Sequence, residues 1–504
     1  MKLIPRIKQT IYFLIFTFVF SIYPENTWCT PQETTLTKKI NTILYKHKPK
    51  DAFVGISIFS ISKKKSLYRL NSDKPFIVAS NMKLFTTATA LIYLRPDFEY
   101  KTKIFYRGNI SSDGKLNGDI IIKGSGDPNI SGRFHEDNAT AVPNLWANAV
   151  KQQGIKIITG DIIADDTIFD REFICDSWPK NQLSKWYCAP VSGLSFNDNC
   201  INIIVQTNKK PGASVNIQTE PKTSYVEIIN NCKTTTLKSK HSYSLHRKPS
   251  TSIIYIKGYV WIKAQLQKQW ITIHNPPLYT AAVFKEILEN KNIQINGKAR
   301  VINSTDLNSK HKTHKLTETT SNLRQSIMVT NKRSQGFYAE QILKTLGAHI
   351  KKEGSFSAGL NVIKDFLAKL GFSEEQYQFE DGSGLSKKNK LSPQMITKLL
   401  YIMNKHKYAP VFLKSLPISG IDGTLKNRLK EEPYRFRIRA KTGYVHGVSA
   451  LSGYIKTLDK EIIAFSIIIN NIKGGTRHAK RLQDAICRLL VTYSHSMNSS
   501  VTQK

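Results

Sequence analysis

A serine hydroxyl followed three residues later by a lysine amine, in Ser80-Asn81-Met82-Lys83, sets a nucleophile and a proton acceptor one helical turn apart on the same face. A lysine removed from water loses its preference for the charged form and can take the serine proton. The spacing alone is weak, because Ser-x-x-Lys recurs at Ser62 to Lys65, Ser177 to Lys180 and Ser309 to Lys312 in polar surroundings. Context separates the copies. Residues 80–94 place Met82, Leu84, Phe85, Ala88, Leu91 and Ile92 on nearly every side, which predicts a helix buried in the centre of a domain with Ser80 at its cap. Far along the chain, Lys441-Thr442-Gly443 is the sole Lys-Thr-Gly run, strand-like and preceded by the basic Arg435-Phe436-Arg437-Ile438-Arg439. A strand that offers a lysine, a threonine and then a glycine lets a substrate backbone approach closely and pair with its edge.

These groups need a scaffold that brings residue 80 to residue 441. Residues 52–60 and 66–70 predict a hairpin turning at Lys63-Lys64-Lys65, and residues 440–444, 448–455 and 462–469 read as three more strands, with His446-Gly447 as a turn. Helices are expected at 323–329, 337–346, 359–370 and 393–405, and a last one carries the stripe Ala479, Leu482, Ile486, Leu489, Tyr493. A sheet sandwiched by helices would reunite the two ends of the chain. Between them, short β-like runs at 119–123, 155–164, 200–206, 226–229, 253–259 and 270–274 predict one or two β-rich inserted domains. There is no internal repeat.

A chain of 504 residues exceeds one ordinary domain, and 40% hydrophobic with 22% charged residues excludes collagen-like and low-complexity classes. Lys+Arg 74 against Asp+Glu 37 leaves +37, which implies an anionic partner or surface. The basic clusters at Lys63 to Lys65, Lys310 to Lys315 and Arg435 to Arg439 stand beside no RNA-reading aromatic motif and no zinc module, so they read as solvated surface rather than a nucleic-acid site. Lys2, Arg6 and Lys8 precede a 13-residue apolar run, residues 11–23, broken at Pro24. That is the layout of a secretory signal cut near Cys29, with an uncleaved anchor as the alternative. No other stretch approaches 18 apolar residues, so the mature protein is expected to be soluble or peripheral outside the inner membrane. In an exported protein Cys175, Cys188, Cys200 and Cys232 could form up to two disulfides, with three pairings open. Metal binding is the weaker reading, since neither C-x-x-C nor H-E-x-x-H occurs, and Cys487 belongs to an apolar helix face.

With these motifs the chain resembles the serine D-alanyl-D-alanine peptidases and β-lactamases, whose pattern is S-x-x-K, then S-x-N, then K-T-G. It is most similar to the class C (type 4) penicillin-binding proteins, D-alanyl-D-alanine carboxypeptidase/endopeptidases with large insertions between the first two motifs. Supporting strings, in family order, are Gly118-Asp119-Ile120 leading to Gly124-Ser125-Gly126-Asp127-Pro128, Gly160-Asp161-Ile162, Ala189-Pro190-Val191-Ser192-Gly193-Leu194 with Asn197-Asp198-Asn199, Asp381-Gly382-Ser383-Gly384-Leu385-Ser386, and Gly420-Ile421-Asp422-Gly423-Thr424-Leu425. The resemblance implies an α+β fold: a penicillin-binding/β-lactamase-like transpeptidase domain, an antiparallel sheet with helices, and β-rich domains inserted after the first catalytic helix. The expected division is 1–29 signal peptide, 30–97 and 316–495 the two parts of the catalytic domain, 98–315 the insertion, and 496–504 a tail.

By position, Ser334-Gln335-Gly336 is the middle motif, with Gly336 where the family has asparagine. The resemblance implies that Ser80 attacks the penultimate D-Ala carbonyl, Lys83 takes its proton, Ser334 passes a proton to the departing amine, and Lys441 with Thr442 holds the terminal carboxylate. Gly443 and Tyr444 continue that substrate edge, Tyr444 standing where Thr or Ser is usual, and the backbone N–H groups of Ser80 and Tyr444 would face the oxyanion. Peptidoglycan stem peptides are the implied substrates and β-lactams the implied trapped ligands, with no metal or cofactor, no nucleic acid, at most peripheral membrane contact, and a periplasmic or cell-envelope location. Loss of the asparagine amide would remove on the order of 2–4 kcal/mol of transition-state stabilisation. An active peptidase is therefore set against a degraded homologue that binds cell-wall peptide or a partner, and against a β-lactamase.

Overall fold

The most apolar run of the carboxy-terminal region, Ile462–Asn470, is the middle strand of a five-stranded antiparallel sheet. Its order is Ile438–Val445, Val448–Lys456, Ile462–Asn470, Phe53–Ser60, Lys65–Leu70. The computed structural model describes residues 35–308 and 312–494, so the expected signal at 1–29 and the tail at 496–504 lie outside the described residues. Side chains alternate across a strand, and both faces here are covered. Ile463, Phe465, Ile467 and Ile469 pack with Val54, Ile56 and Ile58 against the helices Thr35–His47 and Arg477–Val491. Ala464 and Ile468 turn the other way, toward the helices Met82–Tyr93, Gly336–Leu346, Phe356–Lys369 and Pro393–Lys405. A strand buried on both sides has no polar alternation, which is why residues 462–469 read as one continuous apolar segment.

The expected hairpin is present, with Lys64 in the left-handed conformation at its turn. The last helix keeps Ala479, Leu482 and Ile486, but its buried stripe runs on through Cys487, Leu490 and Val491, and Leu489 and Tyr493 are only partly covered. The buried face is therefore rotated and wider than the expected stripe.

Between the helices Met82–Tyr93 and Leu323–Lys332 the chain builds three further sheets. The largest has seven strands and contains the first and last strands of the segment, Glu99–Ile110 and Thr313–Asn322, paired antiparallel with Glu99 opposite Asn322. Entry and exit therefore lie side by side, and over 200 residues leave and return to the helical layer through adjacent strands. Two three-stranded sheets follow, one of Asn216–Glu220, Cys200–Gln206 and Gln267–Thr272, the other of Glu227–Thr235, Ile253–Trp261 and Ser242–Arg247. Each expected β-like run falls on a strand, with Gly160 dividing 155–164 into Ile157–Ile158 and Ile162–Asp165. The segment also holds two long helices, Ala141–Gln152 and Pro276–Asn290, whose Trp146 and Phe284 meet edge to face in its core, and a single helical turn, Ser304–Leu307.

No disulfide joins the cysteines among the described residues: Cys175, Cys188, Cys200, Cys232 and Cys487 are all buried free thiols. Cys175 and Cys188 belong to the core around the Met82–Tyr93 helix, Cys200 packs with Val329, Phe337 and Tyr338, and Cys232 lies in the core of the inserted sheets. Closeness in sequence reflects no shared location for Cys200 and Cys232, and burial raises every one of these thiols. No helix among the described residues is long and apolar enough to cross a membrane.

Because Ile467 is fully buried in the middle strand, Ile467→Ala is expected to destabilise the protein by about 2–5 kcal/mol. Denaturant unfolding checks this, and a loss below about 1 kcal/mol would mean that the helical layers do not depend on this strand.

Candidate active site

Ser80 lies in a single 3-10 turn, Ala79–Asn81, that feeds directly into the Met82–Tyr93 helix. The expectation that Ser80 caps the helix is not met: Asn81 is the capping residue by position and makes no side-chain cap bond. Asn81 instead donates to Ser452 Oγ at 2.7 Å, anchoring the turn on the sheet. The serine hydroxyl is consequently not spent on the helix end. It accepts from Lys83 Nζ at 3.1 Å, and the same amine donates to the Ser383 carbonyl at 2.6 Å. Ser80 is partly exposed whereas Lys83 is 2% exposed. Burial pushes the Lys83 amine down to about 8, opposed by the nearby charges of Glu340 and Asp381.

A second buried lysine closes the site. Lys441 Nζ donates to Ser334 Oγ at 2.7 Å and to the Thr442 carbonyl at 2.8 Å. Burial, reinforced by the charge on Lys83, holds its amine well below the usual lysine range. Ser334 sits between the helices Leu323–Lys332 and Gly336–Leu346 with φ 57, a left-handed conformation that a serine adopts only when its surroundings enforce it. Thr442 donates to Thr424 Oγ1 at 2.8 Å. Ser80, Lys83, Ser334, Lys441 and Thr442 thus share one site, although they come from three separate stretches of chain.

Two glycines allow that approach. A Cβ on Gly443 would fall 2.9 Å from the Val78 carbonyl oxygen and 3.3 Å from Ala79 Cβ, so the Lys-Thr-Gly strand presses directly on the backbone before Ser80. From the other side Gly384, at φ +77, leaves no room for a Cβ beside the Ala79 carbonyl. Ala79 between them has φ 46. Tyr444, opposite Ser449 in the sheet register, is 64% exposed and stands at the rim.

The loop that receives Lys83 is held by two buried carboxylates. Glu340 accepts from the backbone N–H groups of Gly382 at 2.9 Å and Ser383 at 2.8 Å. Burial first, and the neighbouring Asp381 second, raise its pKa. Asp381 accepts from Gly384 N–H, Ser386 N–H, the Asn389 amide and the Trp178 indole at 2.6–3.0 Å. These contacts aim the Ser383 carbonyl at Lys83. The motif strings read from the sequence contain Asp381, Ser383 and Thr424, and the helix expected at 337–346 contains Glu340, but none of the four was given a part. A detectable signal existed for one of them: Glu340 is the lone acid in a helix otherwise buried from Gly336 to Leu346.

Gly336 is the first residue of its helix and lies outside the left-handed region. A Cβ there would come 3.3 Å from the Tyr187 carbonyl oxygen and 3.7 Å from Ser383 Cβ. A side chain would therefore enter the space beside the loop that holds Lys83. The other Ser-x-x-Lys copies offer nothing comparable: Ser60 donates to Glu461 while Lys63 is exposed, Ser62 and Lys65 are exposed in the hairpin turn, Ser112 and Lys180 are exposed, and Ser309 lies outside the described residues. Among the described residues no group of three or more His, Cys, Asp or Glu is arranged to hold a metal ion.

Comparison with known proteins identifies the family and the fold. The model of the D-Ala-D-Ala carboxypeptidase 3 (S13) family matches residues 36–493. A D-alanyl-D-alanine carboxypeptidase of an Actinomadura species is 28% identical over 471 residues, 92% of this chain and 85% of that protein. The D-alanyl-D-alanine carboxypeptidase DacB of Haemophilus influenzae is 25% identical over 86% of this chain and 88% of its own length. The crystal structure of penicillin binding protein 4 (dacB) from Haemophilus influenzae superposes with a TM-score of 0.78 at 22% identity, covering 90% of this chain and 99% of the other, and so shares the α+β fold.

Adding one methyl group where the strand meets the Ser80 turn tests the geometry. Gly443→Ala is expected to lower the rate at which Ser80 is acylated by roughly a hundredfold, the usual consequence of ~1 Å misplacement of reacting groups. Stopped-flow acylation by a chromogenic penicillin measures it, and a rate within about threefold of the parent would show that the close approach is unimportant.

Proposed function

The chain belongs to the D-Ala-D-Ala carboxypeptidase 3 (S13) family, and from that premise we propose how its own residues carry the reaction. As a serine D-alanyl-D-alanine carboxypeptidase it acts on peptidoglycan stem peptides through an acyl-enzyme, and penicillins acylate the same serine. The observation that carries the assignment is the pair of buried amines, Lys83 on Ser80 and Lys441 on Ser334.

Ser80 Oγ attacks the penultimate D-Ala carbonyl while Lys83, kept partly neutral by burial, accepts the hydroxyl proton. The N–H groups of Ser80 and Tyr444 stabilise the oxyanion. As the C–N bond breaks, Ser334 hands its proton to the terminal D-Ala amine and is reprotonated through Lys441, the proton that Lys83 took from Ser80 making good the one passed on, so that Lys83 is again a free base. Thr442, oriented by Thr424, and Lys441 hold the terminal carboxylate. Water then attacks the Ser80 ester, releasing the shortened peptide and restoring the hydroxyl. No step requires a metal or cofactor. The protein is exported through its amino-terminal segment and works in the periplasm or cell envelope, where the substrate is. Cleavage of cross-links between stems is the same chemistry with a longer leaving amine.

The missing amide at Gly336 favours a slow enzyme rather than an inert one, because Lys83 retains two acceptors and the serine-lysine pairs are intact. Peptide mapping after labelling with a fluorescent penicillin should find the adduct on Ser80 alone and should lose it in Ser80→Ala. Labelling that persists in that variant would end the assignment, and full labelling without D-alanine release from a stem peptide would favour the peptide-binding homologue.

Two quantitative outcomes follow from the geometry. With Lys83 at about 8, the fraction of neutral base rises as pH rises, so acylation should accelerate about tenfold from pH 7 to pH 9 and then level off. Glu340→Gln removes a charge that holds the Lys83 proton, so the same profile should move to lower pH. A flat profile in the parent, or a shift to higher pH in the variant, would exclude Lys83 as the base. Gly336→Asn restores an amide where only the Tyr187 carbonyl is tight. Recovery of ~2 kcal/mol would raise the acylation rate about thirtyfold, whereas an unchanged or lower rate would show that the site is settled around glycine.

A further inference from the structure

A cleft of about 400 Å³ opens beside the loop that carries Ser334, between that loop and the inserted sheet of Asn216–Glu220, Cys200–Gln206 and Gln267–Thr272. Nothing in the proposed reaction uses it. In the sheet register Trp270 lies opposite Asn202, and Asn202 opposite Glu220, so the three stand in a row across the strands. Lys268, two residues from Trp270, points to the same face and pairs with Glu220, which also accepts from the Asn202 amide at 3.0 Å. The alternate residues Ile201, Ile203 and Ile271 turn into the core. An antiparallel bridge between Lys185 and Ile271 places Trp186 across from Trp270. Both tryptophans line the cleft and both are 44% exposed.

The opposite wall is the catalytic loop itself. Arg333 and Gln335 line the cleft on either side of Ser334, and Gln335 donates to Asp198 of the insertion at 3.0 Å. Asp198 is in turn ion-paired with Arg133, so the two walls are tied together next to the reacting groups.

Exposed indole faces beside an amide, a carboxylate and two cations suit a ligand with apolar C–H faces and a belt of hydroxyl and acetamide groups. The volume falls within the ~300–1,000 Å³ usual for ligand sites. Exposed tryptophans in such a cleft are matched by partial apolar burial with a polar edge, which a sugar ring supplies. We infer that this cleft binds a β-linked N-acetylhexosamine saccharide, the glycan part of the polymer whose stem peptide enters the site across the loop. The choice of sugar rests on the cell-wall reading of the active site; the sheet face and the tryptophan pair do not.

Isothermal titration of the full chain with the β-1,4-linked tetramer of N-acetylglucosamine tests the inference. Saturable binding is expected in the parent, with at least tenfold weaker affinity in Trp270→Ala and in Glu220→Gln and near-parental affinity in Trp270→Phe. Unchanged thermal unfolding midpoints establish that the variants are folded. Absence of binding in the parent, or equal binding in all forms, overturns the inference, as does a sugar-free stem peptide occupying the cleft instead. Penicillin labelling of the parent at Ser80 separates the two failures: labelling without saccharide binding sinks only the cleft, and saccharide binding without labelling sinks only the active-site assignment.

Discussion

Keeping two lysine side chains out of water, each touching a serine that is partly in it, is the constraint to which the rest of this molecule answers. A buried amine is costly as a cation and reactive as a free base. The charge on Lys83 pushes Lys441 further toward the neutral form than burial alone. The structure offsets this with fixed acceptors rather than with a direct ion pair: a peptide carbonyl and a hydroxyl receive each amine. Glu340 and Asp381 act one step back, through the backbone of residues 382–386, so their charges temper the lysine without occupying the reacting space.

Precision of this kind requires rigid supports, and the fold supplies them by stacking elements from distant parts of the chain. The five-stranded sheet places Phe53–Ser60 beside Ile462–Asn470, uniting the two ends and setting the Lys-Thr-Gly strand against the Ser80 turn. Strain collects where the pieces meet, at Ala79 with φ 46 and Ser334 with φ 57. The insertion is no passive appendage. Its residues Trp178 and Cys188 belong to the core around the Met82–Tyr93 helix, Trp178 bonds Asp381, and the Tyr187 carbonyl backs Gly336. A segment between the first two motifs thereby helps to build the floor of the site.

What could be read from the amino-acid order follows from these physics. The Ser80 to Lys83 spacing and the Lys-Thr-Gly run were legible because both lie within single elements whose periodicity fixes side-chain direction. Ser334 was singled out only through the order of motifs in a resembling family, since a serine in a loop carries no periodic signal. Glu340, Ser383 and Thr424 act through tertiary contacts, two of them by way of backbone groups, and such contacts leave little trace in sequence. The strands Glu99–Ile110 and Thr313–Asn322 went unrecognised because they pair with each other while exposing lysine, threonine and glutamate, and the helices Ala141–Gln152 and Pro276–Asn290 because they interrupt a texture otherwise read as β. The clustered cysteines misled for a related reason: proximity along a chain says nothing of the core to which each thiol is assigned.

The central claim is that burial makes Lys83 the base, and the most direct test is the titration of that one amine. In protein carrying isotope-labelled lysine side chains, with Lys83→Arg to assign the signal, the Lys83 Nζ resonance should titrate near 8, well below an exposed lysine near ~10.4. Titration above about 10 would mean a charged amine at neutral pH and would contradict the account.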